Sequence, residues 1–151
     1  MELLTKAAKG VASAVVVLGM SVGVAQADAI ADRQETMKAV GGAMKALAAM
    51  AKGEAAFDGA AVKTNADTIA TKLEAAKALF PDGSDKGEKE TWAKAEIWQD
   101  KDTFLQILDD GIAAANVVAG AGELDALRPA LGELGSKGCK ACHEKFRRPK
   151  E

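Results

Sequence analysis

Both cysteines and the only histidine of this chain fall within five consecutive positions, Cys139-Lys140-Ala141-Cys142-His143. On a helix, thiols at i and i+3 share one face with their Cβ atoms roughly 5–6 Å apart, so both can add to the two vinyl groups on one porphyrin edge. The imidazole, at i+4 from the first thiol, lies on that face and can supply the nitrogen donor that haem iron takes on its proximal side. The segment reads as a haem c attachment site, and a fold built around it must leave an apolar slot for a flat macrocycle. A closed zinc site needs about four nitrogen or sulfur ligands, and two cysteines plus one histidine fall short unless another chain contributes. A redox dithiol is expected beside a βαβ pattern, whereas the surroundings read as helix. A plain disulfide leaves the adjacent histidine unexplained.

The beginning of the chain points to export. Lys6 and Lys9 precede an apolar run from Val11 to Val24, and Ala25-Gln26-Ala27 supplies small residues at a cut position. This is the pattern of a secretory signal peptide, residues 1–27, with cleavage before Asp28. The competing reading, a retained anchor, needs about 20 apolar residues, and this run is shorter and interrupted by glycine. Export suits haem attachment, because c-type haem is fixed to thiols outside the cytoplasm, where free cysteine pairs would otherwise oxidise. In a bacterium that compartment is the periplasm. No later segment approaches membrane length. Removing the leader's two lysines and one glutamate takes the formal net charge from −2 to −3, which leaves nucleic-acid binding without electrostatic support.

Roughly 124 residues remain, enough for one domain, 28–151, with one core. Alanine is abundant and β-branched and aromatic residues are sparse, which favours closely packed helices. Four apolar stripes recur at three- and four-residue steps. The first runs through Ile30, Met37, Val40, Met44, Leu47 and Ala51 and stops at Gly53; Met44 and Met50 read as core filler. The second starts from a capping Asp58, follows Val62, Ala66, Ile69, Leu73, Ala76 and Phe80, and ends at Pro81-Asp82-Gly83. The third begins near Asp100 to Asp102 and uses Phe104, Ile107, Leu108, Ile112, Ala115 and Val118 up to Gly120. The fourth covers Leu124 to Arg147, with a small kink expected at Pro129.

Short breaks after the first and third helices, with a longer one between, predict an all-α, antiparallel up-down-up-down four-helix bundle holding covalent haem c. The long connection, Asp82 to Gln99, is polar apart from Trp92, Ile97 and Trp98. Tryptophans in such a loop fold back onto a core or a ligand edge. Plugging the open bundle end and touching the haem are equally open readings of them.

Taken together, the leader, the four helices, the attachment site close to the C-terminus, Arg147 four residues past His143, and Arg33-Gln34-Glu35-Thr36-Met37 opening the first helix resemble the cytochrome c′ family, the class II c-type cytochromes. The likeness extends over essentially the whole mature chain, including Pro81 and the Ile97-Trp98 stretch. It implies one haem c held through Cys139 and Cys142, with His143 as proximal ligand and Arg147 near the proximal face. It implies also that Arg33 approaches a haem propionate, that Gln34 lies beside the haem, and that Met37 occupies the distal position.

The family divides at that position, which is either open beneath an apolar side chain and binds small gases, or filled by a methionine sulfur. A thioether favours ferrous iron, raises the reduction potential and gives a low-spin centre suited to electron transfer. A methionine there can ligate the iron or merely obstruct it. The expectation is a non-enzymatic periplasmic electron carrier with His143/Met37 ligation, meeting its redox partners transiently; the alternative is a five-coordinate protein that binds nitric oxide or carbon monoxide. Peroxidase-type catalysis lacks a second histidine to serve as distal acid or base. Family members are often dimers through helices one and two, so a homodimer is a further expectation.

Overall fold

The computed structural model describes residues 22–149. The expected leader lies outside the described residues except for 22–27, which form the beginning of the first helix. The elements are α1 (Val22–Lys52), α2 (Gly59–Ala76), a short α3 (Glu96–Gln99), α4 (Lys101–Ala119) and α5 (Leu124–Glu133). The last of these continues through a π-helical segment (Leu134–Lys140) into α6 (Ala141–Phe146) as one rod.

Local chemistry sets most of these boundaries. Gly53 takes a positive φ of 78°, and the amides of Gly53 and Glu54 donate back to Met50 and Ala49 carbonyls at 3.1 and 2.9 Å. This is the paired bonding of a Schellman stop, which a glycine permits without Cβ strain. At the start of α2 one Asp58 carboxylate oxygen accepts from the Ala60 and Ala61 amides at 2.9 and 3.0 Å, satisfying two otherwise unpaired donors. Gly83, in the turn after Pro81, has φ 79°.

The four rods form a ring in chain order, α1 on α2, α2 on α4, α4 on the last rod, and α5 back on α1. Each adjacent pair is antiparallel. Arg33, early in α1, bonds Leu79 just past α2. Lys77, at the end of α2, pairs with Asp109 of α4; Asp100 before α4 pairs with Lys145 in α6; Arg128 in α5 donates to the Ala51 carbonyl near the end of α1. The expected up-down-up-down four-helix bundle is the observed one.

Leu47, Val62, Ala66, Ile69, Ala115, Val118, Leu127 and Leu134 meet at the centre with no exposed surface. Burial of such a cluster is the main favourable contribution to folding, at about 25 cal/mol per Å² of apolar surface. At the end of the bundle where α4 begins, Phe80, Phe104 and Phe146 stack edge to face with centroids 4.6 and 5.4 Å apart. Ile97 is buried there, and Trp98 leans on Phe80 while its indole N–H donates to the Pro81 carbonyl at 2.9 Å. Both residues close that end of the bundle.

Two details depart from the sequence reading. Ile107 and Ile112 are only half-buried, and the interior position between them belongs to Gly111. The distortion expected at Pro129 comes later, as the widened π turns at 134–140, and α5 runs through the proline. The widening falls where α4 presses closest: a Cβ on Gly138 would lie 2.9 Å from the Gly111 Cα, so the two backbones meet with nothing between them.

Candidate functional site

Cys139 lies next to the end of the π-helical segment at Lys140, and Cys142 and His143 follow within α6, so the attachment motif spans the junction between two helical geometries. Such π turns recur at functional sites, where the extra residue per turn re-aims side chains. Both thiols are free and half-buried. Burial pushes the Cys139 thiol up. Burial, and then the charge of Cys139, push Cys142 up to about 11, opposed by Arg147. His143 is shifted down, first by burial and second by the positive charge of Arg147. At neutral pH its imidazole is neutral and keeps a lone pair available for a metal. The structure thus gathers Cys139, Cys142, His143 and Arg147 at one end of the last rod.

Whether these residues fit a haem can be tested on the packing. α1 contacts α2 and α5, yet among the described residues it makes no comparable backbone approach to the π-helical segment or to α6. The stretch that bears the cysteines is therefore not closely backed by the α1 backbone. Met37 and Met44 on α1, and Cys142 on α6, are half-buried at the margin of the same apolar core. Two unbridged thiols, a neutral imidazole and a separated, apolar-edged pair of helices fit a covalently held porphyrin. They do not fit zinc: among the described residues no three histidine, cysteine or carboxylate side chains converge.

The α1 residues singled out from the sequence have different surroundings. Arg33 is only 5% exposed. Its Nη1 donates to the Leu79 carbonyl at 3.1 Å and to Ser84 Oγ at 2.8 Å, and its Nη2 donates to the Ser84 carbonyl at 2.7 Å and to Thr91 Oγ1 at 3.4 Å. The guanidinium also lies over the Phe80 ring, 4.8 Å from its centroid. The arginine that the family resemblance assigns to a propionate is here engaged by the connection between α2 and α4. Gln34 is exposed and donates to the Glu90 carbonyl at 2.8 Å, in that same connection. Arg147 has an exposed side chain, and its backbone pairs with Ala93. Trp92 is 39% exposed.

The sequence profile of the Cytochrome C′ family matches residues 28–147. A cytochrome c′ from Rhodopseudomonas palustris is 42% identical over 137 residues, covering 89% of this chain and 92% of that protein. The chain belongs to the cytochrome c′ family. As a member it is a monohaem c-type cytochrome, and Cys139 and Cys142 provide the two thiols of its haem c attachment motif. A cytochrome c-556 from Agrobacterium fabrum is 38% identical, covering 76% of this chain and 77% of that one. The solved Rhodopseudomonas palustris cytochrome c′ superposes with a TM-score of 0.77 at 38% identity, over 82% of this chain and 98% of that one. Cytochromes c′ are themselves four-helix bundles, so fold and motif agree.

Sequence reasoning missed Ser84, Thr91, Arg148 and the Gly111–Gly138 crossing. Gly138, directly before Cys139, was the available signal for the crossing. Ser84 and Thr91 carried none beyond being hydroxyl residues in a charged loop.

Proposed function

We propose that this cytochrome is an exported, periplasmic electron carrier whose iron is held by His143 and by the sulfur of Met37. What supports this reading is two donors half-buried beside one core: the imidazole of His143, next to Cys142 on α6, and the thioether of Met37 on α1, a helix that makes no extensive backbone approach to α6. Haem, when bound, would supply a one-electron ferric/ferrous couple. Cys139 and Cys142 would hold its edge, His143 would donate a lone pair, and Met37 would offer a soft ligand that favours the reduced state. Apolar packing around these groups limits water and keeps reorganisation small. A carrier asks for no acid–base residue, and the sole histidine of the chain is committed to iron, so we assign no catalytic activity.

No described helix is long and apolar enough to cross a membrane, and residues 1–27 act as the leader that directs export. Partners are redox proteins that dock transiently. A second copy of this chain can pack on α1, where Gly41 and Gly42 are exposed with open space above them.

The ferric visible spectrum tests the assignment. A sulfur-to-iron charge-transfer band at the red edge, with sharp low-spin bands on reduction, supports it, and Met37→Ala should abolish that band and open the iron to carbon monoxide. A Met37→Ala protein with an unchanged spectrum refutes the distal ligand. A wild type that is high-spin and binds carbon monoxide directly would instead make this a gas-binding member of the family.

A further inference from the structure

α1 and α6 make no extensive backbone approach to each other, yet both are bonded to the same short stretch of the α2–α4 connection. On the α1 side, Arg33 holds Ser84 and Thr91, which are 0% and 7% exposed, and Gln34 holds the Glu90 carbonyl. Gly87 presses so closely on α1 that a Cβ there would lie 2.8 Å from Ile30 Cδ1. On the α6 side, the Lys94 amide donates to the Phe146 carbonyl at 2.9 Å and the Arg148 amide to the Trp92 carbonyl at 2.7 Å. The Arg148 guanidinium donates to the Thr91 carbonyl. Thr91 is thus the point where both sides meet, with its hydroxyl taken by α1 and its carbonyl by the tail of α6.

Met37 sits one turn beyond Arg33 on α1, and His143 lies five residues before Arg148. We propose that residues 84–94 form a strap that fixes how closely α1 approaches α6, with Arg33 and Thr91 as its positioning residues, and that the strap thereby sets the reach of Met37 toward the position opposite His143. The inference rests on the distal assignment above for its last step only. A charged side chain buried among carbonyl and hydroxyl oxygens is expensive to leave unpaired, so Arg33 has a strong preference for this one arrangement of the loop. A planar fork bonded to two residues of the strap also fixes orientation, which a lysine's single ammonium does not.

The test compares the haem-loaded wild type with Arg33→Leu, Arg33→Lys and Thr91→Val by two readouts. The first is amide hydrogen exchange at Lys94 and Arg148, neither of which is bonded to Arg33. The strap requires exchange at both to rise at least tenfold in Arg33→Leu, less in Thr91→Val, with partial recovery in Arg33→Lys. The second is carbon monoxide affinity of the ferrous protein together with the red-edge band. Release of Met37 should raise that affinity at least fivefold and weaken the band in the same order of variants. Folded variants with wild-type exchange at Lys94 and Arg148 overturn the strap. Faster exchange with unchanged band and affinity overturns its control of Met37. A wild type without the band removes the Met37 assignment alone, and the coupling of α1 to α6 is then decided by exchange. Should Arg33→Leu fail to fold, Thr91→Val decides the same questions, since it exchanges a single hydroxyl, the acceptor for Arg33 and for the Ala93 amide, for a methyl group.

Discussion

Replacing Gly138 by alanine should destabilise the protein although alanine is the better helix former. The added Cβ would sit 2.9 Å from the Gly111 Cα and 3.3 Å from Leu134 Cδ1. Carbon atoms pack comfortably at about 3.5–4.0 Å, so α4 and the last rod must part by roughly 0.6 Å or more. The nearest obstacle is backbone, which has no rotamer to escape into. Overpacking of this kind costs about 1–3 kcal/mol, and the intrinsic gain from glycine to alanine returns about 0.5–1. The difference spans about 0–2.5 kcal/mol, and because the obstacle is backbone a net loss of about 1–2 kcal/mol is expected. With a urea dependence of about 2 kcal/mol per molar, the unfolding midpoint should fall by roughly 0.5–1 M at constant slope.

Two further glycines on the same pair of rods make the reasoning refutable. At Gly132 a Cβ meets nothing within 4 Å, so Gly132→Ala should raise the midpoint by a few tenths molar. At Gly111 it meets Gly138 Cα at 3.3 Å and the mobile end of Leu73 at 3.1 Å, so Gly111→Ala should lie between the two. Circular dichroism of the haem-loaded proteins gives all three midpoints. If Gly138→Ala is as stable as Gly132→Ala, the close crossing does not govern the packing. Because Gly138 immediately precedes Cys139, parting the rods should also lower the yield of covalent haem, read by mass.

Asp58→Ala removes the carboxylate that caps α2 and should cost about 1 kcal/mol, measured by the same titration. Asp100 is held below the usual carboxylate range, first by its bond with Lys145 and then by Thr103. A carboxyl with a depressed folded value contributes stability above its ordinary value of 3.8, and that contribution disappears as the pH falls through the lower folded value. Asp100→Asn should therefore flatten the acid limb of the stability profile below about pH 4 and leave its shape near pH 7 unchanged. A chain that cannot attach haem, Cys139→Ser with Cys142→Ser, should unfold earlier and less cooperatively in urea, because the packing and ligation that the cofactor makes only in the folded state are lost. If it unfolds as late and as cooperatively as the loaded protein, the residues around Cys139, Cys142 and His143 do not depend on a cofactor for their packing.

What could be read from the sequence divides along physical lines. The stops at Gly53 and Gly120, the Asp58 cap and the apolar stripes are local events, settled by neighbouring residues, and they were legible. The haem motif was legible for a different reason: covalent attachment demands two thiols and an imidazole at fixed spacing, whatever surrounds them. The π turns were not legible, because a template with 3.6 residues per turn cannot register a segment that departs from it. Gly111 was passed over in favour of Ile107 and Ile112 because hydrophobicity ranks side chains and says nothing of two backbones that need contact. Arg33 was expected to approach a haem propionate, whereas the partners the structure gives it lie 46 to 58 positions away, beyond any local rule.

That last case bears on how such a site is built. A bundle that kept all four helices in mutual contact along their length would have no room for a macrocycle, so α1 must depart from α6 over its first half. Departure leaves their spacing without a close backbone contact to set it. Something else must set the distance, and in this protein a charged, mostly solvent-exposed loop does so through bonds made largely by its own backbone. Backbone bonding makes the spacing indifferent to most side chains of the loop. It concentrates the dependence in the buried polar atoms of Arg33, Ser84 and Thr91, and in the Lys94 ammonium, which donates to the Glu144 and Lys145 carbonyls of α6. Substitutions at exposed Lys86 or Lys89 should then leave the haem spectrum unchanged, while loss of one buried hydroxyl at Thr91 moves it.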